Sequence, residues 1–180
     1  MIPLFDRRYF EKRRHLASRA PLVCQALCRS LRPTSLIDVG CSIGDLVRGF
    51  LDLGVDAYGC DRHIFRDMLL FPVSRYINAD VCGEVMMPKW FDVAMCVEVL
   101  GVVPERSFSR IASNLSCMAD RLVVCADPVI RAPFDRLLGV LGFDRMEEKE
   151  REIREELDEY KRKMSIKAFW YGLSVWRRQR

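Results

Sequence analysis

Residues 36–45, Leu-Ile-Asp-Val-Gly-Cys-Ser-Ile-Gly-Asp, constrain the fold of this chain more than any other stretch. A mostly apolar run of strand length enters a turn bearing two glycines. An amphipathic run follows at once, with Leu46, Val47, Phe50 and Leu51 at helical spacing. A strand that feeds a glycine turn and then a helix opens a βαβ unit, and in an open α/β sheet that turn lies at the carboxyl edge, where ligands bind. Gly40 and Gly44 lack a Cβ, so the backbone turns tightly and admits a ligand closely. The helix start offers unpaired N–H groups to something electron-rich. Asp38, an acid at the buried end of the strand, demands partners of its own.

The same alternation continues along the chain. An N-terminal helical region runs from Tyr9 to Leu31, interrupted near Pro21 and ended by Pro33. Ser35–Val39 reads as the central strand, Gly44–Leu53 as a helix capped by Gly54, and Asp56–Cys60 as a second strand ending at Asp61. A short helix is expected over Arg62–Leu70, then strands over Arg75–Asn78 and Phe91–Val97. Pro104 is expected to open a helix carrying Phe108, Ile111, Ala112, Leu115 and Met118; Arg121–Ala126 reads as a fifth strand, and Pro133 as the start of a helix closed by Gly142. In the charge-dense segment Met146–Met164, the apolar residues Met146, Ile153, Leu157, Tyr160 and Met164 form a narrow helical stripe, which fits one surface helix. Ile166–Trp176, rich in aromatic and β-branched residues, reads as a closing strand.

At 180 residues, half of them hydrophobic, the chain suits one domain with a real core. No apolar run reaches the roughly 20 residues that span a bilayer, and the N-terminus turns basic at once, so a cytoplasmic protein is expected. The eight cysteines include no Cys-x-x-Cys pair, and the only histidines, His15 and His63, stand far apart, so no metal site is expected. The cysteines read as small buried hydrophobes in a reducing compartment. The net charge of +4 gathers at the ends, in Arg7, Arg8, Lys12, Arg13, Arg14 and Arg19 and in Arg177, Arg178 and Arg180. An acidic or nucleic-acid partner is one reading of this and solvated termini the blander, favoured one.

Spacing then chooses between nucleotide chemistries. Asp61 ends the second strand 17 residues after Gly44, where a carboxylate can accept hydrogen bonds from both ribose hydroxyls. A dinucleotide turn wants Gly-x-Gly-x-x-Gly, whereas position 42 is serine and position 45 aspartate, an anion unwelcome beside a pyrophosphate. The nicotinamide reading falls behind.

Asp38-Val39-Gly40-Cys41-Ser42-Ile43-Gly44 resembles the first motif of the class I S-adenosylmethionine-dependent methyltransferases. Asp61 matches that family's ribose-binding acid, Asn78-Ala79-Asp80-Val81 its third-strand exit, and Phe91 to Leu100 its fourth-strand motif; the tail from Ala168 to Trp176 is similar to its last strand. The resemblance implies a single-domain α/β Rossmann-like three-layer sandwich. Its mostly parallel seven-stranded sheet would carry helices on both faces and an antiparallel last strand, with residues 1–32 as a helical segment ahead of a domain over 33–180. It implies S-adenosylmethionine as cofactor, held by Asp38, Gly40, Cys41, Ser42, Gly44, Asp61, Arg62, Asp80, Val81 and Cys96, and methyl transfer by in-line displacement to an acceptor that is a small molecule or a group on a polymer. Tyr9, Phe10, Arg13 and Arg14 correspond to the lid helix of relatives, though a core-packing helix explains them nearly as well.

Two departures bear on function. Ser42 replaces the middle glycine of the turn, and Gly101-Val102 stands where many relatives carry Glu-His, which removes a histidine from the acceptor side. Motifs of amino methylation (Asn or Asp, then Pro-Pro and an aromatic) and of cytosine-carbon methylation (Pro-Cys) are absent, so the acceptor chemistry stays open. Glu98 is the candidate general base; His63, a lone histidine, reads as incidental. The alternatives are an inactive methyltransferase-like binding or partner subunit and, third, a nicotinamide-dependent oxidoreductase. One open reading of the charged helix over Met146–Met164 is a surface for a dimer or partner protein.

Overall fold

The computed structural model describes residues 5–62, 65–164 and 172–179. In chain order the described elements are α1 (Arg7–Arg13), α2 (Ala20–Leu31), β1 (Ser35–Val39), α3 (Asp45–Asp52), β2 (Asp56–Asp61), β3 (Tyr76–Asn78), β4 (Phe91–Val97), α4 (Phe108–Ser116), β5 (Ala119–Cys125), α5 (Pro128–Val140), β6 (Phe143–Arg145), α6 (Glu147–Met164) and β7 (Leu173–Arg178). They build a seven-stranded sheet of order β3-β2-β1-β4-β5-β7-β6. The strands from β3 to β5 pair in parallel, and β7 runs antiparallel between β5 and β6.

Period-2 alternation sorts the side chains into two apolar layers. Val93, Met95, Val123 and Cys125 pack with α2, α3 and Ile153 of α6 on one face, whereas Ala94, Cys96, Leu122 and Val124 pack with α4 and α5 on the other. The result is the three-layer α/β sandwich expected from the sequence. At the amino edge Asp92 holds β1 to β4: its carboxylate accepts the Thr34 N–H at 2.7 Å and the Ser35 N–H at 3.2 Å. At the far edge Glu150 of α6, 3% exposed, takes both Arg145 donors at 2.8 Å and the Val175 N–H at 2.9 Å, tying α6 to β6 and β7.

Several elements differ from the sequence-based expectation. The N-terminal helical region breaks at a 3-10 stretch over Arg14–Arg19, before Pro21, which sits harmlessly in the first turn of α2. Of the short helix expected over Arg62–Leu70, the described residues form a 3-10 turn at Arg66–Met68, where Met68 packs into a small cluster with Phe10 and Ile43. Pro104 is followed first by a 3-10 turn, Glu105–Ser107; Met118 lies past the end of α4 yet is buried. The next helix starts at Pro128, not Pro133: Asp127 caps it by accepting the Val129 N–H at 2.9 Å, and Pro133 is carried inside at the loss of one backbone donor. The closing strand is Leu173–Arg178, and residues 165–171 of the expected strand lie outside the described residues. β6 is too short and too dependent on distant pairing to show a local pattern.

Among the described residues no helix is long and apolar enough to cross a membrane, and no group of three or more His, Cys, Asp or Glu could hold a metal ion. All eight cysteines are free thiols.

Candidate cofactor site

The turn after β1 is shaped by its neighbours. The N–H groups of Gly40 and Cys41 both donate to the Cys60 carbonyl of β2, at 2.7 and 3.1 Å, and the Gly44 N–H donates back to Cys41 at 2.8 Å. Gly40 has φ +81° and its missing Cβ would lie 2.3 Å from Val99 Cγ2; Gly44 has φ +77° and its Cβ would lie 2.0 Å from the Phe71 ring. Both positions therefore require glycine on conformational and steric grounds. Ser42 also takes a left-handed conformation, φ +54°, and its N–H donates to Asp61 Oδ2 at 2.9 Å. The Ser42 hydroxyl is buried with no hydrogen-bond partner among the described residues.

Two acid-bearing strand ends flank this turn. Asp61 closes β2, and its carbonyl accepts a hydrogen bond from the Tyr76 hydroxyl. Burial, reinforced by neighbouring Cys41 and Asp61, holds that hydroxyl protonated. Asp80 sits in the turn after β3, where Oδ1 accepts the Cys82 N–H at 2.9 Å and Oδ2 faces Arg62 Nη1 at 3.5 Å. The buried Asn114 of α4 donates to the carbonyls of Val81 and Gly83, both at 2.8 Å, and so pins this turn to the sheet's underside. Glu98 follows β4 with φ +59°, its N–H donating to Cys125 at 2.8 Å. Among the described non-glycine residues, only Arg32 and Ser42 share this left-handed conformation.

These strand ends open onto a cleft of about 730 Å³, its mouth included. Gly40, Ser42, Asp61, Arg62, Asp80 and Val81 line one side of it. Glu98, Val99, Val102 and Val103 line the side beyond β4, and Phe5, Tyr9 and Phe10 approach from the N-terminal segment. That segment is held there by Phe10 packing on Ile43 and Met68 and by an Arg7–Asp67 ion pair, and within it Asp6 caps α1 by accepting the Tyr9 N–H at 2.9 Å.

The chain matches no protein-family model and no curated protein. Solved structures do match. A TehB-like SAM-dependent methyltransferase from Corynebacterium glutamicum superposes with a TM-score of 0.69 at 15% identity, over 96% of this chain and 97% of that one. The magnesium protoporphyrin IX methyltransferase of Synechocystis with bound SAM gives 0.59 at 17% identity, over 97% and 86%. Human N-acetylserotonin methyltransferase in complex with SAM gives 0.62 at 13% identity, over 95% and 56%. The fold is that of the class I S-adenosylmethionine-dependent methyltransferases.

On this methyltransferase fold the residues singled out in the sequence separate into two layers. Gly40, Ser42, Asp61, Arg62, Asp80, Val81 and Glu98 converge on the cleft. Asp38, Cys41, Gly44 and Cys96 are buried and are not among its lining residues. Asp38 and Cys41 are each 3% exposed and Cys96 is fully enclosed, so they shape the turn and the strand ends from behind. Burial and then the Asp38 carboxylate push the Cys41 and Cys96 thiols well up, and burial with Asp61 and Asp38 pushes Cys60 up to about 12. A thiol raised in this way is held in its protonated form, the weakly nucleophilic one.

Of the residues matched to a lid helix, Tyr9 and Phe10 line the cleft and Arg14 is exposed, while His63 and the Arg13 side chain lie outside the described residues. Val97 and Val99 belong to the stretch matched to the fourth-strand motif, whereas the apolar lining by Phe5, Val102 and Val103 escaped sequence reasoning. Its one signal was the valine-rich run continuing past the end of β4, where a solvated loop would be polar.

Proposed function

We propose that this chain binds S-adenosylmethionine in the cleft and transfers its methyl group to an acceptor by in-line displacement. The observation that carries this reading is the buried, unpartnered Ser42 hydroxyl on a turn that only glycine at positions 40 and 44 permits, with Asp61 and Asp80 beside it. A buried hydroxyl without a partner costs stability, and a polar ligand at the turn satisfies it. The donor set fits the cofactor. The turn of Gly40 and Ser42 would hold the methionine part, Asp61 the ribose hydroxyls, and Asp80 the adenine amino group, with Arg62 and Val81 beside the base. Asp38, Cys41, Gly44 and Cys96 would support that set from the layer behind.

The bound cofactor supplies a methyl group on an activated leaving group, so the protein's main work is to hold acceptor and methyl in line. Glu98, exposed at the carboxyl end of β4, would take the proton of a weakly acidic acceptor. The structures matched by the fold include methyltransferases named for different acceptors, which supports the reaction class and leaves the acceptor to be found.

Asp61→Ala is expected to weaken S-adenosylmethionine binding by about 10- to 100-fold, the scale of a lost charged hydrogen bond. Glu98→Gln is expected to leave that binding intact and to lower methyl transfer by about 10²- to 10⁴-fold for a hydroxyl acceptor. Full turnover by Glu98→Gln removes Glu98 as the base; unchanged binding by Asp61→Ala removes the cofactor assignment.

A further inference from the structure

The cleft is chemically lopsided, and the lopsidedness bears on the acceptor. On the side of β2 and β3 its lining is polar, with Asp61, Arg62 and Asp80. Beyond β4 the lining is Val99, Val102 and Val103, and the same cleft is lined by Phe5 and Tyr9, whose ring centroids lie 4.3 Å apart. Glu98 is the charged group on that side among the described lining residues.

The apolar surface does not stop at the rim. The Val102 N–H donates to Val99 at 3.0 Å, which turns the chain back at the mouth and leaves Val102 36% exposed. A Cβ at Gly101 would meet Ile130 Cδ1 at 3.9 Å, so this loop abuts the first turn of α5, where Ile130 is 37% and Val129 82% exposed. Exposed apolar side chains continuous with a cleft mark a binding surface rather than scattered surface residues.

We propose that the acceptor is an uncharged small molecule with an apolar body, seated against Val102, Val103, Phe5 and Tyr9 and extending over Ile130. This rests on the methyltransferase reading and names the class of molecule that reading leaves open. The charge of the site argues for the same class. Among the described residues that line the cleft, the carboxylates are Asp61, Asp80 and Glu98 and the guanidinium is that of Arg62, which already faces Asp80. An anionic acceptor would meet like charge there, in spite of the basic chain ends.

The test uses two probes with one body, 1-naphthol and 1-naphthyl phosphate, titrated by fluorescence into the full chain saturated with S-adenosylhomocysteine. Saturation is checked separately by calorimetry. The proposal expects naphthol to bind at least 10-fold more tightly than the phosphate. It expects Val102→Asn and Ile130→Asn, both at exposed positions, to weaken naphthol by 5-fold or more with S-adenosylhomocysteine affinity unchanged. Val140→Asn, an equally apolar change at the far end of α5, should alter neither. Phosphate binding as tight as naphthol, or naphthol affinity unmoved in both rim variants, overturns the apolar-acceptor assignment. Failure of S-adenosylhomocysteine to bind the folded protein instead overturns the reading beneath it.

Discussion

Replacing Ser42 with glycine is expected to move stability and affinity in opposite directions, and both magnitudes follow from the turn. At φ +54° a residue with a Cβ costs about 1–2 kcal/mol relative to its relaxed backbone. The buried hydroxyl without a partner costs about 1–3 kcal/mol more. Glycine removes both and returns about 0.5–1 kcal/mol through the greater freedom of its unfolded chain. Ser42→Gly is therefore expected to stabilise the cofactor-free protein by about 1–4.5 kcal/mol, read in thermal unfolding as a rise of about 2–4 °C per kcal/mol for a chain of this size. The same change removes a hydroxyl that the proposal assigns to the cofactor, so S-adenosylhomocysteine affinity should fall by about 2- to 12-fold, the worth of one neutral hydrogen bond. A Ser42→Gly protein that melts lower than wild type and binds the ligand equally well would refute the reasoning at both ends.

Three further outcomes follow from the packing. Asn114→Ala strands the Val81 and Gly83 carbonyls and should cost about 1–3 kcal/mol in denaturant unfolding, with weaker S-adenosylhomocysteine binding because Asp80 begins the turn that Asn114 holds. Glu150→Ala leaves the Val175 N–H and the Arg145 guanidinium without their shared acceptor and should cost about 2–4 kcal/mol, part of which Glu150→Gln recovers. Burial works to raise the Asp92 carboxyl, but hydrogen bonds from Thr34 and Ser35 outweigh it and hold the group below its ordinary value. Its stabilisation is accordingly present above about pH 4 and is lost as pH falls through the lower folded value, so Asp92→Asn should flatten the acid limb of a stability–pH curve.

The parts of this molecule that were legible in sequence are those written in local chemistry. The step from Val39 through Gly40 to Gly44 announced its geometry because the left-handed turns at 40 and 44 leave glycine little competition. Asp61 and Asp80 were legible by their place at strand ends. What escaped depends on distant parts of the chain. β6 exists because β7 pairs with it, and the stretch around Met68 packs on Phe10. Asp127-Pro128 carries a stronger start signal than Pro133, with the Asp127 cap and a proline in the first turn, but it follows β5 with a single residue between. Cys41 and Cys96 stand next to lining residues in sequence, and strand alternation together with the tightness of the turn buries them behind the cleft. The apolar wall joins Phe5 and Tyr9 to Val102 and Val103 across nearly a hundred residues, a convergence no local pattern records.

Calorimetric titration of the purified chain with S-adenosylhomocysteine, and separately with NADH, tests the central claim most directly. The account predicts micromolar binding of the first at one site per chain and no measurable heat from the second. Folded protein that ignores S-adenosylhomocysteine, or that prefers the dinucleotide, would contradict it.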